Sequence, residues 1–419
     1  MKILWITNIV LPEAQGLLLG KGTLKSTGGW LIGASEMLSN NESTKLTIAT
    51  ISKHVEKLTR LEGEKISYYL LPLGKGNVKK NNEYIPYWKK IREEVKPDVI
   101  HLHGTELSHG LAYIEACGNK HVCVSIQGLV SACANYYCHG LSRKEIFKSI
   151  TPASVRFGGI IEDSEKYAIR GRNEIEIIGR VQDIIGRTSW DKARVWAINP
   201  SAKYHYGGET LRSMFYNDEK WQYNQCVPHS IFVSQASYPI KGLHMLLHAL
   251  PLVKRVFPDV TVRVAGNDIT CCDTFKKKIL LGNYGNLIRK IIHNKGLDGN
   301  VSFTGPLDGD AMVREYLKAN VFVCPSTVEN SPNSLAEAQI LGVPVIASYV
   351  GGVPDMMRGD EMHLYRFEEI EMLAYMLVRL FEQKDSIDTE EMRQKALERH
   401  DPQKNLKQLL QIYQSVKYE

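Results

Sequence analysis

The sequence predicts two α/β domains, each built on a parallel β-sheet covered by helices. At 419 residues, the chain is longer than the roughly 250–300 residues at which a single hydrophobic core stops growing. In both halves, short apolar runs alternate with helix-length polar stretches, which is the pattern of a parallel sheet with crossover helices. A segment rich in glycine, proline and aromatic residues, 199–228, interrupts this alternation and is typical of a crossing between domains.

The first half carries five apolar runs of strand length. These runs cover residues 3–10, 46–51, 66–73, 99–103 and 122–127. A long charged helical stretch, a short strand ending at Arg187 and a further helix follow. We assign residues 1–204 to an N-terminal Rossmann-like domain, in which ligands are expected at the carboxyl ends of the strands.

The βα alternation restarts after the crossing. The predicted strands cover residues 230–234, 260–265, 301–303, 321–324 and 343–347, with an amphipathic helix at 243–256. We assign residues 205–400 to a C-terminal Rossmann-like domain. Residues 401–419 are predicted to form a helical tail whose apolar positions pack back on the body.

The composition is that of an ordinary globular protein, with 43% hydrophobic and 23% charged residues. No apolar run approaches the roughly 20 residues that cross a bilayer, and the sequence begins in a strand pattern, so a cytoplasmic location is expected. The formal charge of +6 is modest, and no nucleic-acid partner is expected. Lysines at positions 75, 79, 80, 89 and 90 indicate a solvated face, or alternatively a peripheral contact with anionic lipid at the inner face of the membrane.

The sequence predicts no metal site. The eight cysteines include no CxxC pair, so reduced and mostly buried thiols are expected. Cys133, Cys138 and His139 lie close in sequence but lack a second ligand pair. Asp308 and Asp310 spell a DxD pattern in front of a predicted helix, and we interpret Asp310 as its N-cap.

The strongest chemical signal lies between residues 322 and 355. A strand ends at Pro325, a loop carries Glu329, and Ser331-Pro332 is predicted to cap and begin a helix. The first free amides of that helix, at Asn333 and Ser334, offer N–H donors and partial positive charge to a phosphate.

Two glutamates flank this anion site. Glu337 lies one turn into the helix, where a carboxylate can accept hydrogen bonds from two ribose hydroxyls, and this favours a nucleotide. Glu329 lies eight positions earlier, next to whatever the diphosphate carries. As isolated residues both are typical surface acids; the flanking prolines, the following strand and the Gly351-Gly352 loop favour a site.

This segment resembles the E-x7-E signature of the retaining glycosyltransferases of family 4, which have the GT-B fold of two Rossmann-like domains facing a deep cleft. The resemblance extends over most of the chain. It implies that Glu337 binds the ribose and that Glu329 lies beside the donor sugar. It also implies transfer with retention of anomeric configuration, in which the leaving diphosphate takes the acceptor's proton.

A second block, residues 231–247, resembles the family's diphosphate loop, which usually reads Gly-Arg and then Lys-Gly. Lys241 matches the lysine, whereas Gln235 occupies the place of the arginine. Arg187 is a candidate for the missing guanidinium across the cleft; the alternative is an interdomain salt bridge.

In the first domain, Gly28 and Gly29 resemble the glycine-rich loop that follows the family's first strand. Gln127 stands where the family often has a histidine, and it hydrogen-bonds without acting as a charged acid or base. His103, at the end of its strand, is a further candidate for the acceptor side. On the donor side we also place Gly266, after the second domain's second strand, and the Gly351-Gly352 loop.

The sequence therefore predicts a retaining, metal-independent hexosyltransferase that moves a sugar from a nucleotide-diphosphate donor to a glycan or lipid-linked acceptor, by analogy in polysaccharide biosynthesis, with no cofactor. A non-catalytic sugar-nucleotide-binding subunit is the main alternative, because Gln127 and Gln235 replace groups that the family uses. A sugar-nucleotide 2-epimerase of the same fold is a second alternative, but it would need a histidine- and arginine-rich site that the sequence does not show.

Overall fold

The computed structural model describes residues 1–20, 29–74 and 82–418. The chain divides into two compact units. Unit 1 comprises residues 1–131, 168–212 and 400–419, and unit 2 comprises residues 132–167 and 213–399. Each unit is an α/β structure with its own sheet.

In chain order, the strands are β1 (Lys2–Ile6), β2 (Lys45–Ser52), β3 (Thr59–Glu62), β4 (Ser67–Pro72), β5 (Val99–His103), β6 (Val122–Ser125), β7 (Asp183–Gly186), β8 (Lys203–Tyr206), β9 (Ser230–Val233), β10 (Thr261–Val264), β11 (Val301–Phe303), β12 (Val321–Cys324), β13 (Val345–Ser348) and β14 (Leu364–Tyr365). The α-helices are α1 (Pro12–Leu19), α2 (Gly29–Ser39), α3 (Ile85–Val95), α4 (Ser108–Cys117), α5 (Val130–Tyr136), α6 (Arg143–Lys148), α7 (Pro152–Phe157), α8 (Ile160–Arg180), α9 (Ser189–Ile198), α10 (Leu243–Lys254), α11 (Phe275–Leu280), α12 (Asn283–Asn294), α13 (Gly309–Lys318), α14 (Asn333–Ile340), α15 (Val353–Met356), α16 (Ile370–Gln383), α17 (Glu390–Arg399) and α18 (Pro402–Tyr418). None of these described helices combines the length and the apolar character needed to cross a bilayer.

The sheet of unit 1 has the order β3-β4-β2-β1-β5-β6-β7-β8. All its pairings are parallel except β3 with β4 at one edge. The central strands β1, β5 and β6 are buried along almost their whole length, as expected for parallel strands covered on both faces. The strand order reverses between β1 and β5, so loops at the carboxyl ends of these two strands frame a crevice of the kind in which ligands bind.

The sheet of unit 2 has the order β11-β10-β9-β12-β13-β14 and is parallel throughout. Its strand order reverses between β9 and β12. The loops that follow these two strands carry Lys241 and Glu329. The topology of unit 2 therefore brings the two blocks singled out in the sequence to one crevice at the carboxyl edge of the sheet.

Helix α18 covers one face of the unit 1 sheet. Its residues Ile412, Tyr413 and Val416 are buried in the same apolar cluster as the β1 side chains Ile3 and Trp5. The Trp5 indole N–H donates to the Tyr413 hydroxyl at 2.8 Å. The last described helix is therefore part of the core around the first strand.

The predicted domain boundaries differ from the observed units. Residues 132–167 were assigned to the first domain but belong to unit 2. Residues 400–419 belong to unit 1, so the predicted C-terminal helix does pack back on the body. The segment 199–228 was interpreted as a crossing, yet its start forms β8, which pairs with β7. The chain passes into unit 2 at Ser213.

Candidate functional site

Lys241 and Glu329 form the centre of the unit 2 crevice. The Lys241 ammonium donates to Glu329 Oε1 at 2.6 Å, and the Ser326 hydroxyl donates to the same oxygen at 2.8 Å. Both charged side chains are mostly buried, with 18% of Lys241 and 12% of Glu329 exposed. A cation and a carboxylate are thus fixed against each other beside the ends of β9 and β12.

The surroundings keep Lys241 charged. Burial disfavours an ammonium, but the neighbouring Glu329 carboxylate and Tyr238 phenol outweigh it and raise the pKa of Lys241 above its ordinary value. Tyr238 places its ring 5.9 Å from the Lys241 nitrogen. Burial, reinforced by Glu329, raises the pKa of the nearby Cys324 thiol to about 12, so this thiol stays neutral.

Two glycines allow the loops of this crevice to approach closely. Gly242 has φ +69°, and a Cβ there would lie 1.8 Å from the carbonyl oxygen of Pro325. Gly351 has φ +52°, and a Cβ there would lie 1.8 Å from the carbonyl oxygen of Glu329. The Gly352 N–H donates to that same oxygen at 3.0 Å. Glycine is required at both positions, because the conformation is left-handed and the facing backbone leaves no room.

Helix α14 begins beside Glu329, but its cap differs from the prediction. Pro332, rather than Ser331, is the N-cap, and its side chain makes no capping hydrogen bond. Proline has no hydroxyl or carboxylate to offer, so the N-cap residue supplies no side-chain acceptor to the amides of Asn333 and Ser334. Asn333 Oδ1 is buried without a hydrogen-bond partner among the described residues.

Glu337 lies on the buried face of α14, with 7% of its surface exposed. The Tyr316 hydroxyl lies 3.2 Å from its Oε2 atom and donates to the carbonyl oxygen of Ser334 at 2.9 Å. A tyrosine on α13 therefore lies beside the carboxylate predicted to bind ribose.

Two other donor-side predictions, Gln235 and Gly266, and the DxD pattern have the following surroundings. Gln235 follows β9 and is exposed. Gly266 follows β10 with φ +105°, and nothing lies within 4 Å of the position of a Cβ. In the DxD pattern, Asp308 rather than Asp310 is the N-cap, since its side chain accepts from the Ala311 N–H at 2.8 Å.

The structure brings His103, Gln127 and Arg187 together around one cavity of 60 Å³ in unit 1. Trp30 and Asn405 also line it. Within the described part of the chain, one nitrogen atom each of Trp30, His103, Arg187 and Asn405 is buried without a hydrogen-bond partner. Buried polar groups are normally satisfied, so four unpaired nitrogens on residues around one cavity are unusual.

Arg187 is held within unit 1. Its guanidinium donates to Glu209 Oε1 at 3.1 Å and to the carbonyl oxygen of Ile126 at 2.6 Å. Burial raises the pKa of the Glu209 carboxyl, and the Arg187 charge partly offsets this. Arg187 therefore forms the salt bridge that was the alternative to diphosphate binding, and its partner Glu209 lies in the same unit. The sequence analysis missed Glu209 because it lies in the segment interpreted as a crossing, although its position directly after Gly207-Gly208 was a usable signal.

His103 is buried and neutral. Burial holds its pKa well below the ordinary value, and the neighbouring His101 and Arg187 lower it further. Its ring lies 4.2 Å from that of Trp5 and 3.8 Å from that of His101, measured between centroids. At neutral pH it can therefore donate or accept hydrogen bonds, but it offers a ligand no positive charge.

The remaining predictions concern glycines, lysines, cysteines and a metal site, and some of these residues lie outside the described part of the chain. Gly28 and the lysines at 75, 79 and 80 are not among the described residues; Gly29 begins α2. None of the eight cysteines, all of which are described, forms a disulfide; three are buried and five only partly buried. Among the described residues, no group of three His, Cys, Asp or Glu side chains is placed to hold a metal ion.

Curated relatives match a part of this chain. It is 29% identical over 133 residues to a GDP-mannose-dependent alpha-(1-6)-phosphatidylinositol monomannoside mannosyltransferase of Mycobacterium tuberculosis, covering 30% of this chain and 31% of that protein. It is 41% identical over 59 residues to the sulfoquinovosyl transferase SQD2 of Arabidopsis thaliana, covering 14% and 12%. The matched part of the chain thus spans less than a third of the length of these relatives.

Solved structures match nearly the whole chain. Sucrose-phosphate synthase from Thermosynechococcus elongatus aligns with a TM-score of 0.68 at 16% identity, over 99% of each chain. Anabaena HepE, solved in complex with UDP-glucose, aligns with a TM-score of 0.66 at 14% identity, over 99% of this chain and 100% of that one. At such identities the likeness concerns the fold, and it confirms the predicted class of two Rossmann-like α/β domains of GT-B type.

The family model described as Glycosyl transferases group 1 matches residues 227–383. This range contains the Lys241 loop, the Glu329 loop and helix α14 with Glu337. The geometry of the crevice and the match therefore fall on the same part of unit 2. Over residues 227–383 this chain is therefore similar to the glycosyl transferases group 1.

Proposed function

We propose that this protein is a glycosyltransferase that moves a sugar from a nucleotide-diphosphate donor to a glycan or lipid-linked acceptor, with retention of anomeric configuration. The observation that carries the proposal is the convergence of the Lys241–Glu329 pair, the uncapped start of α14 and buried Glu337 at one sheet edge. In this arrangement unit 2 binds the donor and unit 1 binds the acceptor.

The donor's diphosphate is assigned to Lys241 and the first amides of α14. An ammonium has three N–H donors, and Glu329 takes one, which leaves two for phosphate oxygens. Asn333 and Ser334 add backbone N–H groups from the positive end of the helix dipole. These donors act on the charge that develops on the leaving diphosphate, and each well-placed donor contributes about 3–4 kcal/mol to transition-state stabilisation.

The nucleoside and the sugar are assigned to the two glutamates. Glu337 binds the ribose hydroxyls, and its place beside Tyr316 fixes the direction of the carboxylate. Glu329 lies beside the sugar, where it orients Lys241 and accepts from sugar hydroxyls. Gln235 supplies a neutral hydrogen bond at the place of the family's arginine, and the Gly351-Gly352 loop leaves room for the sugar. The open side of Gly266 admits the nucleotide.

On the acceptor side, we assign polar groups of the acceptor to the unit 1 cavity. His103, Arg187 and Gln127 line it. Because His103 is neutral, these residues bind and orient the acceptor. The leaving diphosphate then accepts the acceptor's proton, which requires no base from the protein and no metal.

The names of the relatives support this assignment. The mycobacterial relative is named for a GDP-mannose donor and a phosphatidylinositol-based acceptor, and HepE was solved with UDP-glucose. A nucleotide-sugar donor and a lipid-linked acceptor are therefore the substrate classes to test first.

The test is a thermal-shift and hydrolysis screen of the purified protein against a panel of nucleotide sugars, with chelator throughout. Glu337→Gln is compared with the control Glu382→Gln, which alters an exposed carboxylate of the same unit. We expect one donor to raise Tm and to turn over slowly, and both effects to vanish in Glu337→Gln alone. Turnover that appears only when the chelator is omitted would contradict a metal-independent mechanism.

The alternative is a non-catalytic sugar-nucleotide-binding subunit. It predicts a donor-dependent rise in Tm without turnover, even with a broad acceptor mixture. The relatives named as transferases do not favour it. The anomeric configuration of the product, read by NMR coupling constants, tests retention separately.

A further inference from the structure

All three phenylalanines that are exposed in the described part of the chain lie in two short segments of unit 2. Phe147 is 68% exposed, Phe157 63% and Phe275 80%. Smaller apolar side chains around them are also exposed, namely Ile150, Val155, Ile279 and Leu280. Single exposed apolar residues are ordinary, but a cluster of this kind marks an interaction site.

The two segments form one platform. Helices α7 and α11 pack against each other. The Thr151 hydroxyl donates to the carbonyl oxygen of Leu281 at 2.6 Å, and the buried Asn283 amide donates to the Ser149 hydroxyl at 2.8 Å. The exposed rings are therefore carried by short helices that buried hydrogen bonds fix in place.

The same segments are strongly basic. Residues 143–157 contain four basic residues and one acidic residue, and residues 273–280 contain three basic residues and one acidic residue. Their formal surplus of five positive charges compares with +6 for the whole chain. We call residues 143–157 and 273–280 the apolar–basic surface.

Helix α11 shows the pattern most clearly. Its sequence is Phe-Lys-Lys-Lys-Ile-Leu, and none of its residues is buried. Protein interfaces are depleted in lysine, and two such surfaces of like charge repel each other. Exposed aromatic and aliphatic side chains interleaved with lysines match instead the boundary of an anionic bilayer, where rings enter the headgroup region and ammonium groups meet lipid phosphates.

We propose that the apolar–basic surface docks unit 2 on an anionic lipid bilayer. This deepens the partner part of the proposed function, and it does not rest on the transfer chemistry. The surface is distinct from the lysines at 75–90 that the sequence suggested for membrane contact. A lipid-linked acceptor would then be met at the surface to which the protein is bound.

The test is co-sedimentation of the full chain with vesicles of phosphatidylcholine alone or with 30% phosphatidylglycerol. The variant Phe157→Ser/Phe275→Ser removes two rings, and Met362→Ser/Tyr375→Ser is its control, because it removes exposed apolar groups elsewhere in unit 2. We expect the wild type and the control to bind anionic vesicles and the ring variant to bind at least tenfold more weakly.

The charge contribution is tested in the same assay. Lys276→Gln/Lys278→Gln is compared with Lys404→Gln/Lys407→Gln, which removes two exposed lysines of unit 1. We expect only the first pair to weaken binding, by about tenfold, and the effect to shrink in high salt. Equal binding of all variants, no wild-type binding, or a dimer that the ring variant dissociates would overturn the proposal. A donor-induced rise in Tm that is the same in all variants shows that a failure here leaves the proposed function intact.

Discussion

The carboxyl edges of the two sheets each carry a buried ion pair, but the two pairs differ in how deeply they are buried. In unit 2, the ion pair of Lys241 and Glu329 lies in a crevice and retains some exposure. In unit 1, Arg187 and Glu209 are more deeply buried, and the histidines beside them are neutral. Under the proposed function, this difference suits unit 2 to the charged diphosphate of the donor and unit 1 to hydrogen-bonding groups of the acceptor.

The largest effect is expected from breaking the unit 1 ion pair. Arg187→Ala leaves the Glu209 carboxylate buried without its cation, so the free energy of unfolding of unit 1 should fall by about 3–5 kcal/mol. Native-state hydrogen exchange of β5 to β7 measures this for unit 1 alone. The matched variant Arg187→Met/Glu209→Gln should recover most of the loss. A weaker donor affinity with unchanged exchange would instead assign Arg187 to the diphosphate.

The next effect concerns catalysis in unit 2. Lys241→Ala removes a donor to the leaving diphosphate, and turnover should fall by a factor of about 100 to 1000, or about 3–4 kcal/mol in activation free energy. Lys241→Arg keeps the charge opposite Glu329 and should restore Tm, which separates the loss of folding stability from the loss of chemistry. Unchanged turnover in the alanine variant would remove Lys241 from the mechanism.

Backbone geometry is tested by two glycines of unit 2 with similar φ angles. Gly242→Ala places a methyl group against the Pro325 carbonyl, whereas Gly296→Ala at φ +63° meets open space. We expect a loss of about 3 kcal/mol or more in the free energy of unfolding for the first and about 1 kcal/mol for the second. Urea unfolding of both variants gives the difference. Equal losses in the two variants would mean that the loops of Gly242 and Pro325 can move apart without a loss of stability.

The smallest effect is the response of unit 1 to acid. Burial lowers the pKa of His109 to about 4, and its ring nitrogen lies 3.0 Å from the carbonyl oxygen of Thr7. Between the unfolded pKa near 6.5 and about 4, the unfolded chain binds a proton that the folded chain excludes, so stability falls as pH falls through this window. At pH 5 this contributes about 2 kcal/mol.

The variant His109→Gln isolates that contribution, because glutamine can donate to the same carbonyl but does not titrate. Relative to this variant, the wild type should lose about 2 kcal/mol between pH 7.5 and pH 5. Calorimetry at both pH values measures the difference. An equal response of the two proteins would mean that His109 is accessible to protons in the folded state.

Much of the fold was predictable because it rests on local pattern. The strands at 99–103, 301–303 and 321–324 were predicted at their observed bounds. The donor-side pairing of Lys241 with Glu329 follows once β9 and β12 are adjacent, and their loops were both identified from sequence. Apolar alternation and turn residues carry this information within a few positions.

What could not be predicted depends on distant partners. The assignment of residues 132–167 to unit 2 rests on contacts such as those of Ser149 and Thr151 with residues more than a hundred positions away. The neutral state of His103 depends on burial that no local pattern reveals. The cap of α14 was misread because Ser331 is a strong capping residue by type, while the backbone at Pro332 takes the capping position.

The packing of α18 on β1 has a consequence for how the chain folds during its synthesis. Trp5 and Tyr413 are 408 positions apart, and ribosomes add about 5–20 residues per second. Roughly 20 to 80 s therefore pass between the synthesis of the first strand and that of the helix that covers it. All residues of unit 2 are synthesised before α18 is complete, so the unit that begins first is finished last. Chaperones that shield apolar strands should accordingly associate with nascent unit 1 throughout elongation.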